Sequence, residues 1–312
     1  MDSPITVFHT IPNWVAVSFW KAPDGWPLRR FVAEPATAAE ERGTILFQTG
    51  RGDFFEKYLH VIAHWRDRGW RVEGFDWRGN GGSGRLSDLA VVGRADDFDL
   101  LVSDLNAYCR AHAASFKAPF VLIGHSMGGH LVLRYMAEGG LSPARAVLVA
   151  PMLGLNGAPI PGHLARAIVT ALCWGGLHMR PAWAETGATE FGGARQRRLT
   201  HDRALYDQEL WWKEHQPDLH IGAPSWGWLR AAYRSIAKLN RPGVIEAILT
   251  DTLILAAKRD ELIPYASILR VRQRLSHSTL VASEEAAHEM LRERDDFRGP
   301  LLDAIDRFIE AT

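Results

Sequence analysis

Six short apolar runs leave this chain few folds to choose from. They are Thr44 to Gln48, Trp70 to Asp76, Phe120 to Gly124, Arg145 to Ala150, Thr252 to Ala257 and residues 278–282. Each is too short for a buried helix, and the stretches between most of them carry helical periodicity. Phe55, Tyr58, Leu59 and Ile62 recur on one helical face that stops at Gly69. Helices are also expected over Asp96 to Ala113, from near Met127, over 264–275 and from about Asp296. Strands that are apolar on both faces, alternating with helices, imply a mostly parallel sheet covered on both sides. Two further strands, Asn13 to Trp20 and Leu28 to Glu34, precede them around a turn at Pro23-Asp24-Gly25. Asp53, with Glu56 three residues on, reads as a capping box opening the first helix.

The alternation breaks after Pro151 and resumes at Thr252. The segment between is rich in helix formers, glycine and tryptophan. The expected organisation is an α/β core of residues 1–150 and 244–312, with residues 151–243 inserted as a helical cap. Six of the twelve tryptophans fall in the insertion. Trp174, Trp226 and Trp228 are candidates for an apolar substrate pocket, against the equal alternative that such residues pack the insertion onto the core. Arg195, Arg197 and Arg198 form a basic cluster that suits either a phosphate group or a solvated face.

Lys+Arg and Asp+Glu each number 36, so the chain lacks the basic excess of a nucleic-acid binder. Its two cysteines, Cys109 and Cys173, are no disulfide framework. No secretory signal and no apolar stretch of spanning length are visible. A soluble, cytoplasmic protein with at most peripheral membrane contact is expected. No residues have the spacing of a metal cluster, and no cofactor is expected.

Gly124-His125-Ser126-Met127-Gly128 matches G-x-S-x-G and sits on the boundary between a buried strand and a helix. A sharp strand-to-helix turn puts the serine at its apex, and small residues two positions either side relieve the crowding. Ser126 is thus the candidate nucleophile. Asp260, two residues past the run Thr252 to Ala257, is the candidate acid, with adjacent Glu261 as rival. His288, after the run at 278–282, is the candidate base. His277 precedes its strand, at the wrong edge. Ser, then Asp or Glu, then His is the chain order that accompanies this nucleophile motif in the fold it typifies. Met127 N–H and Arg51 N–H, the latter in the loop Thr49-Gly50-Arg51-Gly52, are the candidate oxyanion donors.

Four segments extend the match. They are Asp76-Trp77-Arg78-Gly79-Asn80-Gly81-Gly82-Ser83, Gly124 to Gly129, Ala287-His288-Glu289-Met290 and Ala223-Pro224-Ser225-Trp226-Gly227-Trp228. Together they resemble the α/β-hydrolase superfamily, and more narrowly its lysophospholipase and monoacylglycerol-lipase group, also labelled serine aminopeptidase-like. The resemblance implies the α/β-hydrolase fold with an eight-stranded-type sheet. It also implies a Ser-Asp-His triad and a small acyl ester or lipid substrate, with a small-ester esterase or an aminoacyl peptidase as alternatives. Many members carry His-Gly where this chain has Thr49-Gly50.

Two readings from other classes compete. Gly79-Asn80-Gly81-Gly82-Ser83-Gly84 fits G-x-G-x-x-G, but a dinucleotide fingerprint should open a helix at once. A non-catalytic binding protein of the same fold is the other.

Overall fold

The apolar runs become neighbours in one eight-stranded sheet. The computed structural model describes residues 6–37, 41–86, 92–93, 95, 97–156, 160, 162–183 and 193–311. The strands are β1 (Val15–Lys21), β2 (Pro27–Ala33), β3 (Gly43–Gln48), β4 (Trp70–Phe75), β5 (Phe120–His125), β6 (Arg145–Val149), β7 (Thr252–Ala257) and β8 (Ser278–Ser283). Their spatial order is β1-β2-β4-β3-β5-β6-β7-β8. β1 pairs with β2 and β2 with β4 antiparallel, and every other pair is parallel. The sheet is therefore mostly parallel, with an antiparallel edge.

The strands are continuously apolar because alternate residues serve two cores. Leu46, Leu122, Leu148 and Ile254 face one cluster. Ile45, Val121, Val147 and Leu253, one position away on the same strands, face the other. Helices α2 (Phe98–His112) and α3 (Met127–Ala137) cover the first face. Helix α1 (Leu59–Asp67) covers the second, together with the C-terminal helix, Asp295–Glu310. Most boundaries fall within two residues of the expected ones. Asp97 caps α2 by accepting the Asp99 N–H.

The capping box is a correction. Residues Phe55–Tyr58 form a 3-10 turn whose cap position is Phe54, with no side-chain cap bond. Asp53 instead accepts from Gly50 N–H, Lys57 and Tyr58. Glu56 is fully buried in a bidentate pair with Arg29. Tertiary partners of opposite charge outcompete a local cap worth about 1 kcal/mol.

The glycine-rich loop after β4 is also built inward. Asp76 accepts from Arg29, Phe55 N–H and Gly82 N–H. A Cβ on Gly81 would lie 2.4 Å from the Asp76 carboxylate, and one on Gly82 2.5 Å from Arg29. The next helix among the described residues, α2, begins only at Phe98. The helix-opening context of a dinucleotide fingerprint is therefore not met.

Between β6 and β7 the described residues hold helices and no strand of the sheet: α4 (Gly162–Leu172), a π turn (Cys173–Leu177), α5 (Gly193–Leu199), α6 (Arg203–His215) and α7 (Trp226–Leu239). After β7 come α8 (Tyr265–Arg274) and the C-terminal α9 (Asp295–Glu310). Asp202 caps α6 and Ser225 caps α7. The attachments of the β6–β7 segment to the rest of the chain include two on its later helices. Trp212 and Gln208 donate side-chain N–H to the Phe8 carbonyl at 2.9 and 2.8 Å. Ser235 Oγ lies 2.6 Å from both His130 Nε2 and Arg134 Nη1 of α3. α4 is different, since Val169 is its one buried side chain. Among the described residues no helix is long and apolar enough to cross a membrane.

Candidate active site

β5 ends at His125 and α3 begins at Met127, leaving Ser126 alone at the bend with φ 53° and ψ −116°. Such a conformation costs on the order of 1–3 kcal/mol in a non-glycine residue. The surrounding bonds hold it: Ser126 N–H donates to Val149 O at 2.9 Å, and Ser126 O accepts from Met152 N–H at 2.9 Å. The flanking glycines are sterically required. A Cβ on Gly124 would meet the Gly128 backbone at 2.7 Å, and one on Gly128 would meet Thr49 O at 2.4 Å. The bend thus packs directly on the loop after β3.

Ser126, His288 and Asp260 lie in one hydrogen-bonded line. Ser126 Oγ is 2.9 Å from His288 Nε2, and His288 Nδ1 is 2.7 Å from Asp260 Oδ2. The other oxygen of Asp260 accepts from Leu262 N–H at 2.7 Å and Ile263 N–H at 3.0 Å. With Asp260 accepting at Nδ1–H, Nε2 is left to accept the serine proton. Burial alone would raise the Asp260 pKa, but His288 and the two backbone N–H groups outweigh it and hold the carboxyl below its ordinary value. Burial alone would lower the His288 pKa, and Asp260 reverses that, raising it above the ordinary histidine value. Glu261 turns away to pair with Arg198 at 2.9 Å. His277 faces Asp251 at the opposite edge, 3.6 Å away.

Met127 is the first residue of α3, so its N–H has no partner within the helix. In the loop after β3, Gly50 N–H is committed to Asp53 and Gly52 N–H to Asn80. Arg51 lies between them, at the cavity wall. Its guanidinium bonds to Gly222 O and stacks 5.3 Å from the Trp228 ring.

Ser126 and His288 open into a cavity of about 840 Å³ lined largely by apolar side chains of the β6–β7 segment. Trp226 and Trp228 are on its wall. Trp174 is not. It projects from the π turn beside Gly175 and Gly176 and is 81% exposed, so the third pocket candidate is corrected. Trp183, 53% exposed, lines the cavity instead. Trp212 follows the packing alternative, buried in the second core. Arg195 pairs with Glu209 at 2.8 Å and, like Arg198, reaches the cavity wall. From Gly139 through Ala184 the sequence contains no Asp or Glu. On α4 and its continuation Leu164, Ile168, Trp174 and Leu177 are exposed.

Sequence reasoning missed a buried charge cluster beside the triad: Asp53, Lys57, Glu209, Glu289 and Arg292, all at most 4% exposed. Lys57 Nζ contacts Asp53, Glu209 and Glu289 at 2.5, 2.9 and 2.8 Å. Burial would lower the Lys57 pKa, but these three carboxylates raise it above the ordinary lysine value. The one local signal was Asp53 four residues before Lys57 on an expected helix. Nothing local marks Glu209.

The sequence model of the family described as Serine aminopeptidase, S33 (Hydrolase_4) matches residues 39–295, from before β3 to the start of α9. The chain belongs to this family. A probable lysophospholipase L2 of Haemophilus influenzae is 24% identical to this S33 chain over 282 residues, 90% of this chain and 87% of the relative. The lysophospholipase L2 of Escherichia coli K12 is 27% identical over 274 residues, 83% of this chain and 78% of the relative. Among solved structures, a soluble variant of the Saccharomyces cerevisiae monoglyceride lipase superposes with a TM-score of 0.74 at 15% identity, covering 99% of each chain. A carboxyl esterase of Bacillus coagulans reaches 0.70 at 17% identity, covering 95% of this chain and 98% of its own. These likenesses establish the α/β-hydrolase fold.

Proposed function

We propose that this S33-family chain is a serine hydrolase that cleaves carboxylic esters of single-chain lipids, a lysophospholipid or a monoacylglycerol, through an acyl-enzyme. One observation carries the reading: the line Ser126–His288–Asp260 opens into a large, mainly apolar cavity. The lysophospholipase L2 relatives support the lipid substrate.

His288 takes the Ser126 proton as Oγ attacks the ester carbonyl carbon. The carbonyl π electrons move to oxygen, and Met127 N–H and Arg51 N–H receive the oxyanion. Losing one such donor costs on the order of 10²–10³ in rate. The C–O bond then breaks, and the alcohol leaves with the proton from His288. Water, deprotonated by His288, attacks the acyl carbon and frees the acid, returning the proton to Ser126. Asp260 holds the imidazole tautomer and stabilises the imidazolium.

Residues 1–150 and 244–312 then serve as the catalytic core and 151–243 as the cap. Trp226, Trp228 and Trp183 face the acyl chain. The exposed apolar side chains of α4 and the π turn, on an acid-free stretch carrying Arg166 and Arg180, favour peripheral contact with a lipid surface. The test is a chain-length series of p-nitrophenyl esters alongside aminoacyl amides. Rising kcat/KM from acetate to long acyl chains is expected. Activity on acetate alone, or on aminoacyl amides alone, would overturn the lipid-ester reading.

A further inference from the structure

The hydrolytic steps make no use of the buried charges beside them. Lys57 has three ammonium protons and meets three carboxylates, each from a different part of the chain. Asp53 belongs to the loop after β3, Glu209 to α6, and Glu289 follows His288 directly. The far oxygen of Asp53 accepts Gly50 N–H at 2.9 Å and lies 2.8 Å from the Tyr58 hydroxyl. Tyr58 Oη is 3.0 Å from His125 Nδ1, and His125 Nε2 donates to the His288 carbonyl at 3.3 Å. Glu289 and Glu209 both also pair with Arg292. Main-chain bonds run in parallel: Glu289 N–H donates to Leu199 O at 2.8 Å and His288 N–H to Arg198 O at 3.3 Å, both at the end of α5.

A buried ionic cluster of this kind is often no more stabilising than well-packed apolar residues of equal volume. This one touches three parts the reaction needs fixed: the loop of Arg51, the residue before Ser126 and the segment of His288. We propose that Lys57 is a positioning residue, whose ammonium locks the oxyanion loop and the His288 segment into one frame that α6 completes through Glu209. The proposal rests on Ser126 and His288 being the reacting pair. It makes α5 and α6 part of the catalytic frame rather than a loose cover.

The charges around His288 give the test its sign. Asp260 bonds to it directly, while Glu289 and Asp53 add negative charge nearby. Lys57 offsets both, and Arg292 offsets Glu289. The His125 ring lies 5.1 Å away. Two variants are measured on soluble p-nitrophenyl butyrate. Lys57→Met is expected to lower kcat by about 10²-fold, the order that an ångström of misplacement costs, with KM nearly unchanged. It removes positive charge, so the acid limb of kcat/KM moves to higher pH. Glu209→Gln removes negative charge from the same cluster, so kcat falls less and the acid limb moves to lower pH. A merely structural role would lower thermal stability without moving the two limbs in opposite directions. Unchanged kcat and unmoved limbs in folded variants would overturn the proposal. If Lys57→Met does not fold, the kcat and limb of Glu209→Gln decide alone. Fluorophosphonate labelling of wild type separates the claims: no label on Ser126 sinks the reaction itself, whereas a labelled wild type with unaltered variants sinks only the role of Lys57.

Discussion

His288 stands between two opposing forces. Burial disfavours its charged form, while Asp260, 2.7 Å away, favours it and prevails. As the proposed base, His288 works when neutral, so activity is expected to rise as pH climbs through a pKa above the ordinary histidine value. Asp260→Asn removes the largest favourable charge and leaves burial opposed only by the more distant Glu289 and Asp53. The expected result is kcat lower by about 10⁴-fold, with the acid limb of kcat/KM moved to lower pH. A pH-rate profile checks both, and an acid limb that stays in place would refute the assignment of Asp260. Ser126, Asp260 and His288 were each legible in the sequence because each follows a strand, in a fixed order. Lys57, Glu209 and Glu289 were not. Each reads locally as an ordinary helix or loop charge, and only folding brings positions so distant in sequence to one ammonium group.

At the scale of elements, the strands were readable because burial on both faces leaves no polar position in β3, β5 or β7 except at their ends. The start of α1 was not. The pattern at Asp53 and Glu56 is a sound capping signal, and it loses to Lys57, four residues from Asp53, and to Arg29, which no local window associates with Glu56. Trp174 failed for a related reason: tryptophan content predicts burial on average, but a turn closed by Gly175 and Gly176 sends this one outward. Helix α7 shows what anchors an insertion. Ser235 Oγ meets both His130 Nε2 and Arg134 Nη1, on side chains that are 0% and 1% exposed. Ser235→Ala leaves these groups without that oxygen and should cost about 1–3 kcal/mol. Denaturant melts should show the loss, with ester turnover retained well below the melting temperature. Unchanged stability would mean that α7 is held by its apolar contacts alone.

Across the whole molecule, the β6–β7 segment divides by what each part is packed against. α5 and α6 are joined to the His288 segment, α7 is bolted to α3, and α4 buries a single side chain. The least buried part is also the apolar, acid-free part, and Ile168, Val169 and Trp183 carry it to the cavity wall. Lipid contact should therefore run through α4 and the π turn. Trp174→Ser should weaken co-sedimentation with phosphatidylglycerol vesicles while leaving turnover of p-nitrophenyl butyrate unchanged, because the side chain lies outside the cavity. Equal sedimentation of variant and wild type would remove Trp174 from that contact.

All of this depends on Ser126 being a nucleophile. Intact-mass and peptide analysis after treatment with a fluorophosphonate tests it most directly. One adduct per chain on the peptide containing Ser126, absent in Ser126→Ala, is predicted. An unmodified wild type, or equal modification of Ser126→Ala, would contradict the account.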